Sequence, residues 1–124
     1  MTKTPPTSLT PASEGLHLIV DVRNGRGLND PVRLEQAFHT IVEVCGATLL
    51  HCHIHPFTPE GLSGVALLAE SHISAHTWPD QGYGAFDVFM CGAADPWAAI
   101  DVLKSSFETE DVTAKAIRRS AVSD

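Results

Sequence analysis

A hydroxyl, an imidazole and a thiol occur close together in the second half of the chain. Ser71 follows Glu70 directly, and His76 comes five residues later. Ser63 precedes this cluster, and Cys91 ends the next apolar segment. A serine hydroxyl can attack a carbonyl carbon when a base lies within hydrogen-bonding distance, and a thiol can donate a proton to a reacting group. These residue types therefore permit nucleophilic and acid–base chemistry.

Each of these residues also has a simpler interpretation. Ser63 is not part of the G-x-S-x-G pattern of α/β hydrolases, because Val65 occupies the position of the last glycine. The segment after Glu70 is typical of a strand with exposed polar side chains, and from composition alone this interpretation comes first. Cys91 taken by itself is typical of a small buried hydrophobic residue.

Three histidines alternate with other residues at His51, His53 and His55. On a strand they share one face, because successive side chains point to opposite faces. Three imidazoles can bind zinc, but no carboxylate ligand motif accompanies them. Surface or interface histidines are therefore the simpler interpretation, no metal site is predicted, and a zinc-binding protein remains an alternative.

Apolar patterns predict six strands and two helices around these residues. The helices begin at the Asp30-Pro31 and Asp95-Pro96 pairs, because aspartate caps a helix and proline suits its first turn. Gly46 marks the end of the first helix. The predicted strands are Leu16–Val22, Ala47–His55, Val65–Ala69, Ile73–Trp78, Ala85–Cys91 and Val112–Ile117.

The predicted order is β-α-β-β followed by β-β-α-β, which suggests an internal pseudo-repeat. This order predicts an α+β fold, a two-layer sandwich in which a mainly antiparallel sheet carries two helices on one face. The other face would need a partner sheet, which favours a dimer. Residues 56–64 contain two prolines and two glycines and are predicted to form a loop.

The 124 residues suit one domain, with 44% hydrophobic residues and a formal net charge of -7. Such an acidic chain is a poor partner for nucleic acid or an anionic membrane, and no apolar run is long enough to span a membrane. Residues 1–14 are expected to be a disordered tail, followed by a single domain over residues 15–124. Without a recognisable signal peptide, we expect a cytoplasmic protein with reduced cysteines.

Two segments resemble bacterial and archaeal S-adenosylmethionine decarboxylases. They are Leu67–Pro79, with the sequence LLAESHISAHTWP, and Gly82–Gly92, with the sequence GYGAFDVFMCG. Residues 46–50, 57–64 and 95–97 are similar to the same family. The resemblance implies a pyruvoyl-dependent enzyme that converts S-adenosylmethionine to its decarboxylated form and carbon dioxide for polyamine synthesis.

The resemblance further implies that the chain cuts itself between Glu70 and Ser71. The products would be a β chain of residues 1–70 and an α chain of residues 71–124. The Ser71 hydroxyl would turn the preceding amide into an ester, and elimination of that ester would leave a pyruvoyl group derived from Ser71. This group is the covalent cofactor of the family, and its ketone forms a Schiff base with the substrate amine.

Three further residues match positions with roles in this family. The resemblance implies that His76 is the processing base and that Ser63 hydrogen-bonds the intermediate of self-cleavage. Cys91 matches the residue that donates a proton to the substrate carbon after carbon dioxide has left. A thiol is mostly protonated at neutral pH and is therefore able to act as a general acid.

The resemblance also implies a set of substrate-binding residues. Phe57 and Trp78 match positions near the adenine and the sulfonium, where aromatic rings stack on a purine and attract a cation. Tyr83 lies in the same segment. Asp80 stands where the family usually has glutamate and would accept hydrogen bonds from the ribose hydroxyls.

Two departures from the family pattern concern the choice of substrate. Arg23 follows the first strand, where a fixed cation near a sulfonium is unfavourable, and Asp80-Gln81 replaces the usual pair. Related enzymes use the same chemistry on L-ornithine or L-arginine. A basic amino acid is therefore an alternative substrate. A non-catalytic homologue is a third possibility. The family assembles as a homodimer of αβ units, in agreement with the uncovered sheet face.

Overall fold

The computed structural model describes residues 14–123. The predicted disorder of residues 1–14 lies outside the described residues except for Glu14, which instead begins the first strand. The strands are β1 (Glu14–Val22), β2 (Leu49–Pro56), β3 (Leu62–Leu68), β4 (Ser71–Trp78), β5 (Tyr83–Cys91) and β6 (Val112–Ser120). The helices are α1 (Pro31–Cys45) and α2 (Ala99–Ser106), and short 3-10 turns span Pro79–Gln81 and Pro96–Ala98.

The six strands form one antiparallel sheet in the order β2-β3-β4-β5-β1-β6. Strands β2 to β5 are joined in sequence order, whereas β1 inserts between β5 and β6. The element order matches the predicted pseudo-repeat. The α+β fold predicted from the sequence is confirmed, and it brings residues from the start of the chain, on β1, beside β5.

The Asp-Pro pairs begin the helical segments as predicted. The Asp30 side chain accepts hydrogen bonds from the Val32 and Arg33 backbone N–H groups, and α1 ends at Gly46 in a left-handed conformation. The side chain of Asp95 caps the 3-10 turn that leads into α2. Capping satisfies N–H groups that the first turn of a helix leaves without partners.

One sheet face packs under α1 and α2 and forms the core. Every second side chain of β1 and β5 points toward the helices. Among these side chains are Leu18, Val20, Phe86 and Val88, which are almost completely buried. Gly64 belongs to this face, because a Cβ there would lie 2.8 Å from the Ile54 Cδ1 atom. The glycine beside Ser63 therefore permits close packing of the sheet.

The opposite face, here called the open face, has no helix over it. It carries the side chains of alternating strand residues, including His17, Ser63 and His76. Several apolar residues on it are well exposed, and they are Ile19 (38%), Val65 (41%), Leu67 (51%) and Ile117 (47%). An exposed apolar patch of this kind marks an interaction surface in soluble proteins. Within residues 14–123, no helix has the length and apolarity to cross a membrane.

Several element boundaries differ from the sequence predictions, and two of these differences concern candidate site residues. The loop predicted over residues 56–64 is shorter, because β3 begins at Leu62 and Ser63 pairs with His55 of β2. Strand β4 begins at Ser71, two residues before the predicted start. In both cases hydrogen bonds from a neighbouring strand extend the pairing into residues that lack a local strand pattern.

Candidate active site

A two-residue hairpin places Ser71 at the start of β4. Leu68 and Ser71 are cross-strand partners, so Ala69 and Glu70 alone reverse the chain. Glu70 has a φ of 72°, in the left-handed region. For a residue with a side chain this conformation costs roughly 1–2 kcal/mol, because Cβ approaches the following carbonyl oxygen. Backbone strain is therefore stored at the residue whose carbonyl precedes Ser71.

Ser71 and Cys91 lie together at this end of the sheet. The Ser71 Oγ accepts a hydrogen bond of 3.1 Å from the Cys91 backbone N–H. Glu70, Ser71 and Cys91 line the same small cavity. Gly15 stands beside them on β1, where a Cβ would lie 2.9 Å from the Cys91 Sγ. This group of Gly15, Glu70, Ser71 and Cys91 is called the cleavage end below.

Ser63 and His76 meet at the other end of the same strands. They are cross-strand partners, and the Ser63 Oγ lies 2.8 Å from the His76 Nδ1. Beside them, the rings of Trp78 and Tyr83 stack with centroids 5.1 Å apart and planes inclined by 19°. These four residues are called the aromatic end below. A hydroxyl that is hydrogen-bonded to an imidazole can exchange a proton with a third group.

Tyr83 is held by a carboxylate from β1. Its hydroxyl donates a hydrogen bond of 2.7 Å to the Asp21 Oδ1. The pKa of Tyr83 is raised, first because this hydrogen bond favours the protonated phenol, and then because of burial and the negative charge of Asp21. Arg23 is 3.4 Å from the Asp21 Oδ2 and donates to the Thr113 hydroxyl at 3.0 Å. The positive charge noted in the sequence is therefore paired beside the aromatic end.

The remaining two predicted substrate-binding residues are exposed near the aromatic end. Phe57 follows β2, is 50% exposed and contacts the His55 ring at a centroid distance of 4.7 Å. Asp80 is exposed in the 3-10 turn between Trp78 and Tyr83. Phe57, Trp78, Asp80 and Tyr83 thus lie at one end of the sheet, near Ser63 and His76.

The structure separates residues that the sequence resemblance had grouped in one site. Ser71 and His76 are five residues apart on β4, which is about 17 Å along an extended strand. Ser71 contacts Cys91, and Ser63 contacts His76. Within one chain, neither Ser63 nor His76 reaches the peptide bond between Glu70 and Ser71. Each chain therefore carries two separate groups of candidate site residues, called half-sites below, at opposite ends of its sheet.

The zinc alternative finds no support in this geometry. His51, His53 and His55 lie along the edge strand β2 and are exposed. In the part of the chain that the structure describes, no group of three or more His, Cys, Asp or Glu side chains could hold a metal ion. The alternation of these histidines follows from the strand and does not make their side chains converge.

The other two cysteines differ from Cys91 in their surroundings. Burial under α2 and the charge of Asp95 raise the pKa of Cys45 to about 12. Burial and the charge of Glu35 raise the pKa of Cys52. The raised pKa values keep both thiols protonated at neutral pH. Cys91 differs in that its backbone N–H contacts the Ser71 hydroxyl.

Sequence reasoning missed a polar network at the centre of the open face. Asp87 accepts a hydrogen bond from the Ser74 hydroxyl at 3.1 Å and lies 2.9 Å from the His17 Nε2. Asp21, the partner of Tyr83, was also missed. His17 and Asp21 come from β1, which is far from β5 in sequence, so no local pattern marks these contacts.

Comparison with known proteins identifies the family. The sequence profile described as S-adenosylmethionine decarboxylase matches residues 16–120. The chain belongs to the S-adenosylmethionine decarboxylase family. It is 38% identical over 113 residues to a protein of Methanococcus maripaludis named S-adenosylmethionine decarboxylase proenzyme, which covers 89% of this chain and 93% of the relative. A protein of the same name from Thermomicrobium roseum is 38% identical over 114 residues, 90% of this chain and 98% of the relative.

A solved structure of this family has the same fold. The adenosylmethionine decarboxylase of Aquifex aeolicus superposes with a TM-score of 0.76 at 29% sequence identity. The match covers 93% of this chain and 97% of that chain. The family recognised from the sequence motifs is therefore confirmed.

The contact between Asp21 and Tyr83 predicts an altered titration in Asp21→Asn. Removing the carboxylate removes the negative charge that favours the protonated phenol, so the Tyr83 pKa should fall toward its ordinary value of about 10. Tyr83 is the only tyrosine of the chain, so tyrosinate absorbance during alkaline titration reports it alone. Asp80→Asn, which leaves this hydrogen bond intact, should titrate like the original protein. Equal midpoints for Asp21→Asn and the original protein would contradict the contact.

Proposed function

We propose that this chain is the proenzyme of a pyruvoyl-dependent S-adenosylmethionine decarboxylase. It cuts itself between Glu70 and Ser71 into a β chain of residues 1–70 and an α chain of residues 71–124. The main support is the placement of Ser71 directly after a strained hairpin residue in a chain of this family. Relatives named as proenzymes agree with a maturation step.

Self-cleavage begins when the Ser71 Oγ attacks the Glu70 carbonyl carbon and the amide becomes an ester. A base then removes the Ser71 α-proton, the bond from Cβ to Oγ breaks, and the β chain leaves with a carboxylate at Glu70. Water converts the resulting dehydroalanine to a pyruvoyl group and releases ammonia. The left-handed conformation of Glu70 favours these reaction steps, because the backbone strain at Glu70 is released when the chain is cut.

The residues around Ser71 suit a pyruvoyl group at that position. A ketone there supplies an electron sink for decarboxylation of an amino acid bound through its amine. The Cys91 thiol belongs to a residue whose backbone already contacts Ser71, and it donates the proton that replaces carbon dioxide on the substrate carbon. Phe57, Trp78 and Tyr83 offer exposed or partly exposed rings for adenine and the sulfonium, and Asp80 accepts from the ribose hydroxyls.

Replacing Ser71 by alanine tests the cleavage site. Ser71→Ala lacks the Oγ that must form the ester, so we expect one uncut chain and no α or β chain. Denaturing mass spectrometry measures the masses and the pyruvoyl group together. Ser74→Ala is the matched control, because it removes another hydroxyl from β4 and should still be cut. Normal cutting of Ser71→Ala would contradict the proposal.

Carbon dioxide release from a substrate panel tests the activity. We expect S-adenosylmethionine to exceed L-ornithine and L-arginine by at least about a hundredfold in kcat/KM, because the basic amino acids lack the adenosine that the aromatic rings would contact. Cys91→Ala should be cut normally but lose about a hundredfold in kcat, which is the contribution of one general acid. Preference for a basic amino acid would replace the proposed substrate by the alternative one.

The separation of the two half-sites supports a homodimer of αβ units. The open face carries exposed apolar side chains, including Val65 and Leu67, together with Ser63 and His76. If two such faces pack with a two-fold axis between them, the cleavage end of one protomer lies opposite the aromatic end of its partner. Each complete site then uses Ser71 and Cys91 from one chain and Ser63 and His76 from the other.

A mixed dimer of Ser71→Ala and His76→Ala chains tests this shared site. Each variant alone should remain uncut, because every site lacks one required group. In the mixed dimer, the His76→Ala chain supplies Ser71 and its partner supplies His76, so one site is complete. We expect cutting of the His76→Ala chain alone, detected from different affinity tags by mass spectrometry. If that chain stays intact in purified mixed dimers, the shared site is excluded.

A further inference from the structure

We propose that Arg119 binds the α-carboxylate of the substrate at the cleavage end. This inference rests on the proposed function, because it assigns one more contact to the same substrate. The pyruvoyl group proposed at Ser71 would hold the substrate amine, but the proposed function names no residue that binds the substrate carboxylate. In a chain with a formal net charge of -7, an anionic group needs a local cation to be held in a defined orientation.

A cavity of about 580 Å³ connects Arg119 with the cleavage end. Its lining includes Glu70, Phe89, Cys91 and Arg119. Glu70 and Cys91 also line the small cavity that contains Ser71. A substrate whose amine is bound at Ser71 therefore has room to extend its carboxylate past Cys91 into the larger cavity.

Gly15 lies between Cys91 and Arg119 in the sheet. It is the cross-strand partner of Cys91 on β5 and of Arg119 on β6. The two partners are thus separated by two strand spacings, about 10 Å. A Cβ at residue 15 would lie 2.8 Å from the Phe89 Cε1 and 2.9 Å from the Cys91 Sγ. The missing side chain therefore lets the Cys91 thiol and the Phe89 ring, which contacts Arg119, pack closely against the β1 backbone.

The Arg119 guanidinium is oriented by an aromatic ring. Its Cζ lies 5.5 Å from the centroid of the Phe89 ring, which itself lines the cavity. Contact with a ring face leaves the N–H groups at the edge of the guanidinium directed away from the ring, and this planar fork matches a carboxylate. Glu14, another lining residue, is 3.8 Å from Arg118 and so has its own cation.

Decarboxylation removes the charge that Arg119 would bind. The interaction is therefore strongest with the bound substrate and weaker in the transition state, where the negative charge moves toward the electron sink. Loss of this contact should raise KM without lowering kcat. A residue that only maintains the fold would not separate the two constants in this way.

The test compares Arg119→Gln, Arg119→Lys and the control Lys115→Gln with the original protein. Lys115→Gln removes a positive charge from the same strand and face, outside this cavity. The measurements are the masses of the cut chains, kcat and KM for S-adenosylmethionine, and the inhibition constant of its decarboxylated product. The product keeps the amine, the sulfonium and the adenosine but has no carboxylate.

We expect Arg119→Gln to be cut normally and to raise KM about tenfold, with kcat equal or higher. The inhibition constant of the decarboxylated product for Arg119→Gln should stay within about twofold of its value for the original protein. Arg119→Lys should recover part of the affinity, since it keeps the charge without the planar fork. Lys115→Gln should match the original protein.

Three results would overturn the inference. An unchanged KM in both Arg119 variants would remove the contact, and an equal loss of affinity for substrate and product would show a structural role. An Arg119→Gln chain that stays uncut would place Arg119 in cleavage instead. In all three cases the original protein still cuts itself and releases carbon dioxide, whereas failure of that protein to do so would refute the proposed function as well.

Discussion

The antiparallel hairpin between β3 and β4 is the constraint on which the site depends. Pairing of Leu68 with Ser71 leaves two residues to reverse the chain, and Glu70 adopts a positive φ in this turn. The same register places His76 opposite Ser63. One turn therefore brings strain to the peptide bond before Ser71 and also separates Ser71 from the imidazole of its own chain.

The two faces of the sheet have different roles, because one forms the hydrophobic core and the other carries polar side chains that could react. The face under α1 and α2 is apolar and almost completely buried, with Phe86 among its largest side chains. The open face carries polar pairs between exposed apolar residues. A small domain buries a small fraction of its surface on folding, and a sheet face without a cover lowers that fraction further. Packing against a second copy would bury the remaining apolar area and complete both half-sites, so assembly and activity would have the same structural basis.

Local patterns predicted the elements more accurately than their ends. Asp30 and Asp95 marked both helical starts because capping acts within one turn. Ser63 was assigned to a loop because it lies between glycines, yet it is in β3 because β2 and β4 both pair with it. Gly64 was assigned to the same loop, and in the structure its missing side chain allows Phe38 to approach the sheet.

The sequence alone determined the types of reactive groups, the helices, the approximate strands and the family, because these depend on residue identity and short-range pattern. The tertiary structure decided which groups meet. Tyr83 meets Asp21, and Cys91 faces Arg119 across Gly15, because β1 inserts between β5 and β6. It also decided that Ser71 and His76 stay apart. Strand order and register arise from contacts between distant segments, which no local pattern encodes.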